Sequence, residues 1–245
     1  MTITVVWLRG TNEPIIPGGV SASFLDSLDR TRFQVQVVDY PADYGMTYSY
    51  EESCAVGRAA AVKAIRETPN LAALGGYSQG ASIAGTLAAD IASDSHAEFK
   101  GLQVVGVALI ADPLRPAGRN LPGLADPGGF GISGQRDITG IPAWWACAPQ
   151  DPISALPAGS PLRSLADFTS LLTVDPRGWR RWGRSVAGLI GQAREQMWWA
   201  QTTPMEVFNA ADELLDFLAR GFHTARYLEL RLPQQLAATV NRQVG

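Results

Sequence analysis

A chain of 245 residues with a formal charge of −3 can bury one large core, and its charge gives no reason to expect nucleic acid or an anionic membrane as partner. Its two cysteines, Cys54 and Cys147, exclude a disulfide framework and lack metal-ligand spacing, so neither a metal nor a cofactor is expected. No apolar run approaches the roughly 20 residues of a membrane span, and MTITVVWLRG lacks the basic start of a signal peptide, so synthesis in a cytosol is expected.

In chain order, Ile3 to Leu8 predicts a first buried strand, followed by the loop RGTNEP, and Phe33 to Val38 predicts a second strand. Tyr50 to Glu67 carries Ala, Ile and Val at helical spacing, and Leu71 to Gly75 reads as a third strand. Ser78 to Ala92 reads as a helix, then Leu102 to Ala111 as a fourth strand and Pro142 to Ala146 as a fifth. Between the last two, Asp112 to Gly140 is rich in Gly and Pro without a sustained period, which predicts a long ordered loop. Beyond Pro161 the pattern is helical over Leu162 to Leu172, Trp179 to Ala200 and Pro204 to Phe222. The expected architecture is α/β: a single domain over 1–245, with a central, mainly parallel five-stranded sheet between helical layers and 160–221 as a helical insertion or cap.

In such sheets ligands bind beyond the carboxyl ends of the strands. The segment Gly76-Tyr77-Ser78-Gln79-Gly80 follows the third strand and fits G-x-S-x-G. Between a strand and a helix this pattern makes a sharp turn that presents the serine hydroxyl beside the helix N-terminus. A serine there is also a good N-cap, so the motif alone leaves two readings open. As a nucleophile Ser78 needs a base and an acid that orients it. Of the two histidines, His96 lies at the polar end of the helix after Ser78 and reads as a surface residue, whereas His223 follows the last long helix in a loop able to return to the cleft. The chain order Ser, acid, His then asks for an acid between Ser78 and His223. Asp151, just after the fifth strand, meets that condition; Asp112 and Asp175 are rivals, and all three precede a proline. For the oxyanion hole the backbone N–H of Gln79 and the loop at Thr11 are candidates, Gly10 allowing close approach.

The segments WLRGTNEP, GGYSQGA, CAPQDPIS and FHTARY together resemble the cutinase family of serine esterases, from about Ile3 to Ala155 and again around His223. The resemblance implies an α/β-hydrolase fold with Ser78 as nucleophile, Asp151 as acid, His223 as base, and Thr11 with Gln79 as oxyanion donors. It also marks two departures. Secreted members carry a bridge that spans the acid, but Ser154 stands in the second cysteine's place and leaves Cys147 without that partner. The helical segment between Asp151 and His223 resembles the lysin B branch, phage esterases that cut the ester between mycolic acids and arabinogalactan. What this implies is a lipid-ester substrate of the bacterial envelope and a phage lysis enzyme, made in the host cytoplasm and acting at the envelope after release. A cutinase-like lipase or esterase on other esters is the alternative, and a non-catalytic phage structural or envelope-binding protein of the same fold is a second. All tryptophans but Trp7 lie from Trp144 onward, either lining a channel for acyl chains or packing the core. Oligomeric state is left open.

Overall fold

The computed structural model describes residues 2–93, 97–160, 162–163 and 222–244. Five parallel strands form one sheet, β1 (Ile3–Leu8), β2 (Phe33–Val37), β3 (Leu71–Tyr77), β4 (Val104–Ile110) and β5 (Ala143–Ala146), in the order β2-β1-β3-β4-β5. The expected α/β-hydrolase fold is therefore the one observed. Sequence places each strand. β1, with the apolar run ITVVWL, is buried at every position and lies inside the sheet; β2, FQVQV, alternates toward solvent, as an edge strand with one open face does.

The helices α1 (Gly19–Leu25), α2 (Tyr50–Glu67) and α3 (Gln79–Ala92) follow the first three strands, and α4 (Phe222–Glu229) and α5 (Leu232–Gln243) close the described chain. Passing from β1 to β2 moves one way along the sheet and from β2 to β3 the other, so right-handed crossovers put α1 and α2 on opposite faces. The core divides accordingly. One cluster joins Val20 and Phe24 of α1 and Leu236 and Val240 of α5 to Trp7; the other joins Ala61 and Ala64 of α2 and Ala84 and Leu87 of α3 to Leu74. Strand order reverses between β1 and β3, which places the crevice of the sheet at the carboxyl ends of those strands.

Local chemistry fixes the helix ends. α2 opens on a reciprocal capping box in which Ser49 and Glu52 each satisfy the other's backbone N–H. The short α1 escapes sequence reading because GVSASFL is too brief for a period; it is held by packing, the Phe24 ring stacking on Trp7 at 4.7 Å between centroids. His223 was expected in a loop. It lies instead in the first turn of α4, because the segment continues past Phe222 as an amphipathic turn that buries Tyr227 under α1 and α5. Of the three helices expected beyond Pro161, only residues 162–163 and Phe222 are described, so the insertion 160–221 lies almost wholly outside the described residues.

The Gly/Pro-rich segment after β4 is ordered by a buried cation. Arg115, fully buried, donates to the carbonyls of Ser154, Arg119, Gly128 and Gly129 at 2.6 to 3.0 Å, and so ties the loop to the segment after β5. Carbonyl dipoles from several turns share one guanidinium, which explains an ordered loop without hydrophobic period. Trp144 and Trp145 are core residues of β5, while Trp179, Trp182, Trp198 and Trp199 lie outside the described residues. Among the described residues no helix is long and apolar enough to cross a membrane.

Candidate active site

Ser78 sits between β3 and α3 with φ 53° and ψ −115°, a conformation an L-residue adopts only under constraint, at a cost of order 1–3 kcal/mol. Its neighbours impose that constraint. Ser78 N–H donates to Ile110 O of β4 at 2.9 Å, and Ser78 O accepts from Ser82 N of α3 at 3.1 Å. A Cβ on Gly76 would stand 2.3 Å from the Gly80 carbonyl carbon, and one on Gly80 would stand 2.1 Å from Leu8 O. Both glycines are therefore required by backbone contact, and the spacing G-x-S-x-G is a steric condition of the turn. The hydroxyl makes no capping bond to α3, so the N-cap alternative does not describe this serine. Gly80→Ala is expected to cost about 3 kcal/mol or more, seen as a fallen Tm or lost soluble yield, since its clash is with backbone that cannot rotate away.

The candidate oxyanion residues lie on either side of this turn. Gly10 packs on the Tyr77 ring, where a Cβ would meet Cδ1 at 2.6 Å. The N–H of Gly10 donates to Glu13 Oε2 at 2.7 Å and that of Asn12 to Ala42 O at 2.8 Å, while the half-buried Thr11 between them has no such bond to a described residue. Glu13 is fixed in turn by Ser21 Oγ, which donates at 2.6 Å and accepts from Trp7 Nε1 at 3.0 Å. Gln79 is buried, its N–H among the first-turn donors of α3 that have no partner within the helix and its Nε2 donating to Asp43 O at 3.0 Å. The Asp43 carboxylate accepts the N–H groups of Met46, Thr47 and Tyr48 at 2.6 to 3.0 Å; burial raises its pKa, but these bonds outweigh that and leave it lowered. Behind Gln79, burial pushes the Cys54 thiol up to about 12, so it is protonated at neutral pH.

Asp151 and His223 meet although 72 residues separate them, His223 Nδ1 lying 3.0 Å from Asp151 Oδ1. Ile153 N–H donates to the same oxygen at 3.1 Å, while Tyr227 and Ser154 donate their hydroxyls to Oδ2 at 2.6 and 2.8 Å. Burial raises the pKa of this carboxyl; the imidazole of His223 and the hydroxyl donors more than offset that and hold it below the ordinary value. A depressed folded-state pKa contributes stability that is fully present above the unfolded value of about 4 and is lost as pH falls through the folded value. The urea midpoint is therefore expected to fall below about pH 4 in the wild type, and to fall less in Asp151→Asn.

The Tyr77 side chain connects this pair to the serine turn. Its ring stacks on the His223 imidazole at 5.3 Å between centroids and 21° between planes, and its hydroxyl lies 3.2 Å from Thr224 Oγ1. The imidazole is thus held against the residue that precedes Ser78. With Nδ1–H directed to Asp151, Nε2 is the basic atom of the ring. Such an arrangement can take a proton from a hydroxyl and return it to a leaving group.

Of the rival acids, Asp112 accepts Arg136 Nη2 at 2.5 Å and Trp145 Nε1 at 2.9 Å, so its charge is committed to a buried ion pair away from His223. Asp175 and His96 lie outside the described residues. Sequence reasoning missed Tyr227, Ser154, Tyr77, Asp43 and Glu13. Tyr227 had a signal: it stands four residues after His223, on the same face once that segment is helical. Asp43 and Glu13 bind main-chain N–H groups three to five residues away, Met46 to Tyr48 and Gly10, in loops that only the fold brings beside the serine turn.

The family model described as Cutinase matches residues 1–158. Among solved structures, lysin B from Mycobacteriophage D29 superposes with a TM-score of 0.64 at 18% identity, over 89% of this chain and 90% of that one. The catalytic core domain of acetyl xylan esterase from Trichoderma reesei gives 0.47 at 22% identity, over 67% of this chain and 91% of that one. No curated protein matches the sequence.

Proposed function

Because this chain belongs to the cutinase family, we propose that it is a serine esterase that cleaves its substrate by two-step acyl transfer, with Ser78 as nucleophile, His223 as base and Asp151 as acid. The observation that carries the reading is the Asp151–His223 pair stacked on Tyr77, one residue from a serine held in a strained turn and free of capping duty. In the first step His223 Nε2 takes the Ser78 proton as Oγ attacks the ester carbonyl. The Thr11 and Gln79 N–H groups receive the developing oxyanion, and His223 then protonates the departing alcohol. Water, activated by the same imidazole, releases the acid from the acyl-enzyme, while Asp151 offsets the charge of the imidazolium throughout.

For the substrate we propose the ester between mycolic acids and arabinogalactan, cut at the envelope by a phage enzyme made in its host's cytoplasm. Support comes from the long segment between acid and histidine and from the shared fold with a phage lysin B. The test is release of free mycolic acid from purified mycolyl-arabinogalactan-peptidoglycan by wild type and Ser78→Ala, beside a short-chain nitrophenyl ester. Release by wild type alone is expected. Hydrolysis of the small ester without mycolate release would keep the esterase and remove this substrate.

A further inference from the structure

Asp151 is a buried anion whose second oxygen, Oδ2, is held among the described residues by two neutral hydroxyls, those of Ser154 and Tyr227. Among the described residues no Lys or Arg is ion-paired to it; Arg115, which donates to the Ser154 carbonyl, is spent on carbonyls and on Asp126. We propose that Tyr227 and Ser154 are positioning residues that together fix the Asp151 carboxylate, so that Oδ1 alone faces His223 and its charge is shared before the imidazole meets it.

The geometry leaves each group a single role. Tyr227 is fully buried, and its ring meets His223 edge-on at 5.9 Å and Tyr77 edge-on at 6.3 Å, so the phenol cannot swing away. Burial and then the adjacent carboxylate push its pKa well above the ordinary value, which keeps it a donor. Ser154 Oγ, 3.0 Å from the Tyr227 hydroxyl, directs its own proton to the same Oδ2. That spends the Ser154 proton, so Oγ turns its lone pairs toward Cys147 Sγ at 3.0 Å, a thiol that burial raises to about 12 and that also lies 3.7 Å from Ala148 O. The result is an ordered chain from Cys147 through Ser154 to Asp151, with Tyr227 arriving from α4. Cys147 is a free, buried thiol, so no disulfide stands in the place of this contact. Four further titratable or charged groups act here: Tyr77 from β3 faces the imidazole, Glu13 acts on Tyr77, and Arg115 and Asp126 act in opposite directions on Cys147.

A donor removed from Oδ2 concentrates the charge of the carboxylate on the side of His223, and an imidazolium there is held to higher pH. The kinetic part of the proposal rests on the esterase reading; the titration of the imidazole does not. The experiment compares wild type, Tyr227→Phe and Ser154→Ala by kcat and KM on a short-chain nitrophenyl ester from about pH 5 to 9, and by NMR titration of the His223 ring without substrate. Tyr227→Phe is expected to lower kcat about tenfold with KM within about twofold, and to move the acid limb and the ring titration upward by about half a pH unit. Ser154→Ala is expected to move both in the same direction by less, and it decides alone if Tyr227→Phe does not fold. A ring titration that coincides with wild type in the folded variants, or that moves downward, would overturn the proposal, even if stability falls. If wild type hydrolyses no ester while the titration moves as expected, the esterase reading fails and the positioning stands.

Discussion

Ser78→Ala is expected to fold as the wild type does and to hydrolyse a short-chain nitrophenyl ester about 10⁴- to 10⁶-fold more slowly. The size follows from the proposed chemistry, in which no other group forms the acyl-enzyme, so that only the oxyanion donors and substrate binding remain. Folding should be spared, and there is a specific reason. The Ser78 hydroxyl does not cap α3, and the bonds that hold the turn are made by backbone atoms, Ser78 N–H to Ile110 O and Ser78 O from Ser82 N. Alanine keeps both bonds and the same strained φ, so circular dichroism and Tm should match the wild type within about 1 kcal/mol. A comparison of initial rates at equal folded concentration checks the expectation, and turnover within tenfold of wild type would remove Ser78 from the mechanism.

Asp151→Asn is expected to lower kcat by about 10³- to 10⁴-fold while leaving KM nearly unchanged. The hydrogen-bond network gives the direction. Oδ2 accepts from both Tyr227 and Ser154, so the oxygen of an asparagine amide settles there and its NH₂ turns to His223. Nδ1 must then accept, the ring proton moves to Nε2, and that atom can no longer take the serine proton. The same substitution removes a buried anion that four donors surround, His223, Ile153, Tyr227 and Ser154, and some loss of Tm accompanies it. Wild-type turnover in a folded Asp151→Asn would exclude Asp151 as the acid. Asp112 would be a poor replacement, since its carboxylate is paired with Arg136.

Much of this was legible in the chain, and the reasons are local. β1, β3 and β4 are buried on both faces and therefore read as unbroken apolar runs, and α2 announces its start through Ser49 and Glu52 and its face through small residues. The serine turn was legible because its two glycines answer to backbone contacts that no side chain can satisfy. What escaped depends on contacts between distant segments. α1 and α4 are short and are fixed by packing on Trp7, α5 and each other, which no period within GVSASFL or FHTARYLE reveals. With α4 unread, Tyr227 could not be placed on the face of His223, nor could Ser154 be connected to either. Arg115 was equally silent in sequence, since a buried guanidinium that serves carbonyls from three separate stretches of chain carries no spacing rule.

Covalent labelling with a fluorophosphonate probe, followed by mass spectrometry of the digested protein, addresses the identity of the nucleophile most directly. A single adduct on Ser78 in wild type is expected, with none in Ser78→Ala and a much slower adduct in Asp151→Asn. A folded wild type that takes no label, or takes it on another residue, would contradict the assignment and favour a binding protein built on an esterase fold.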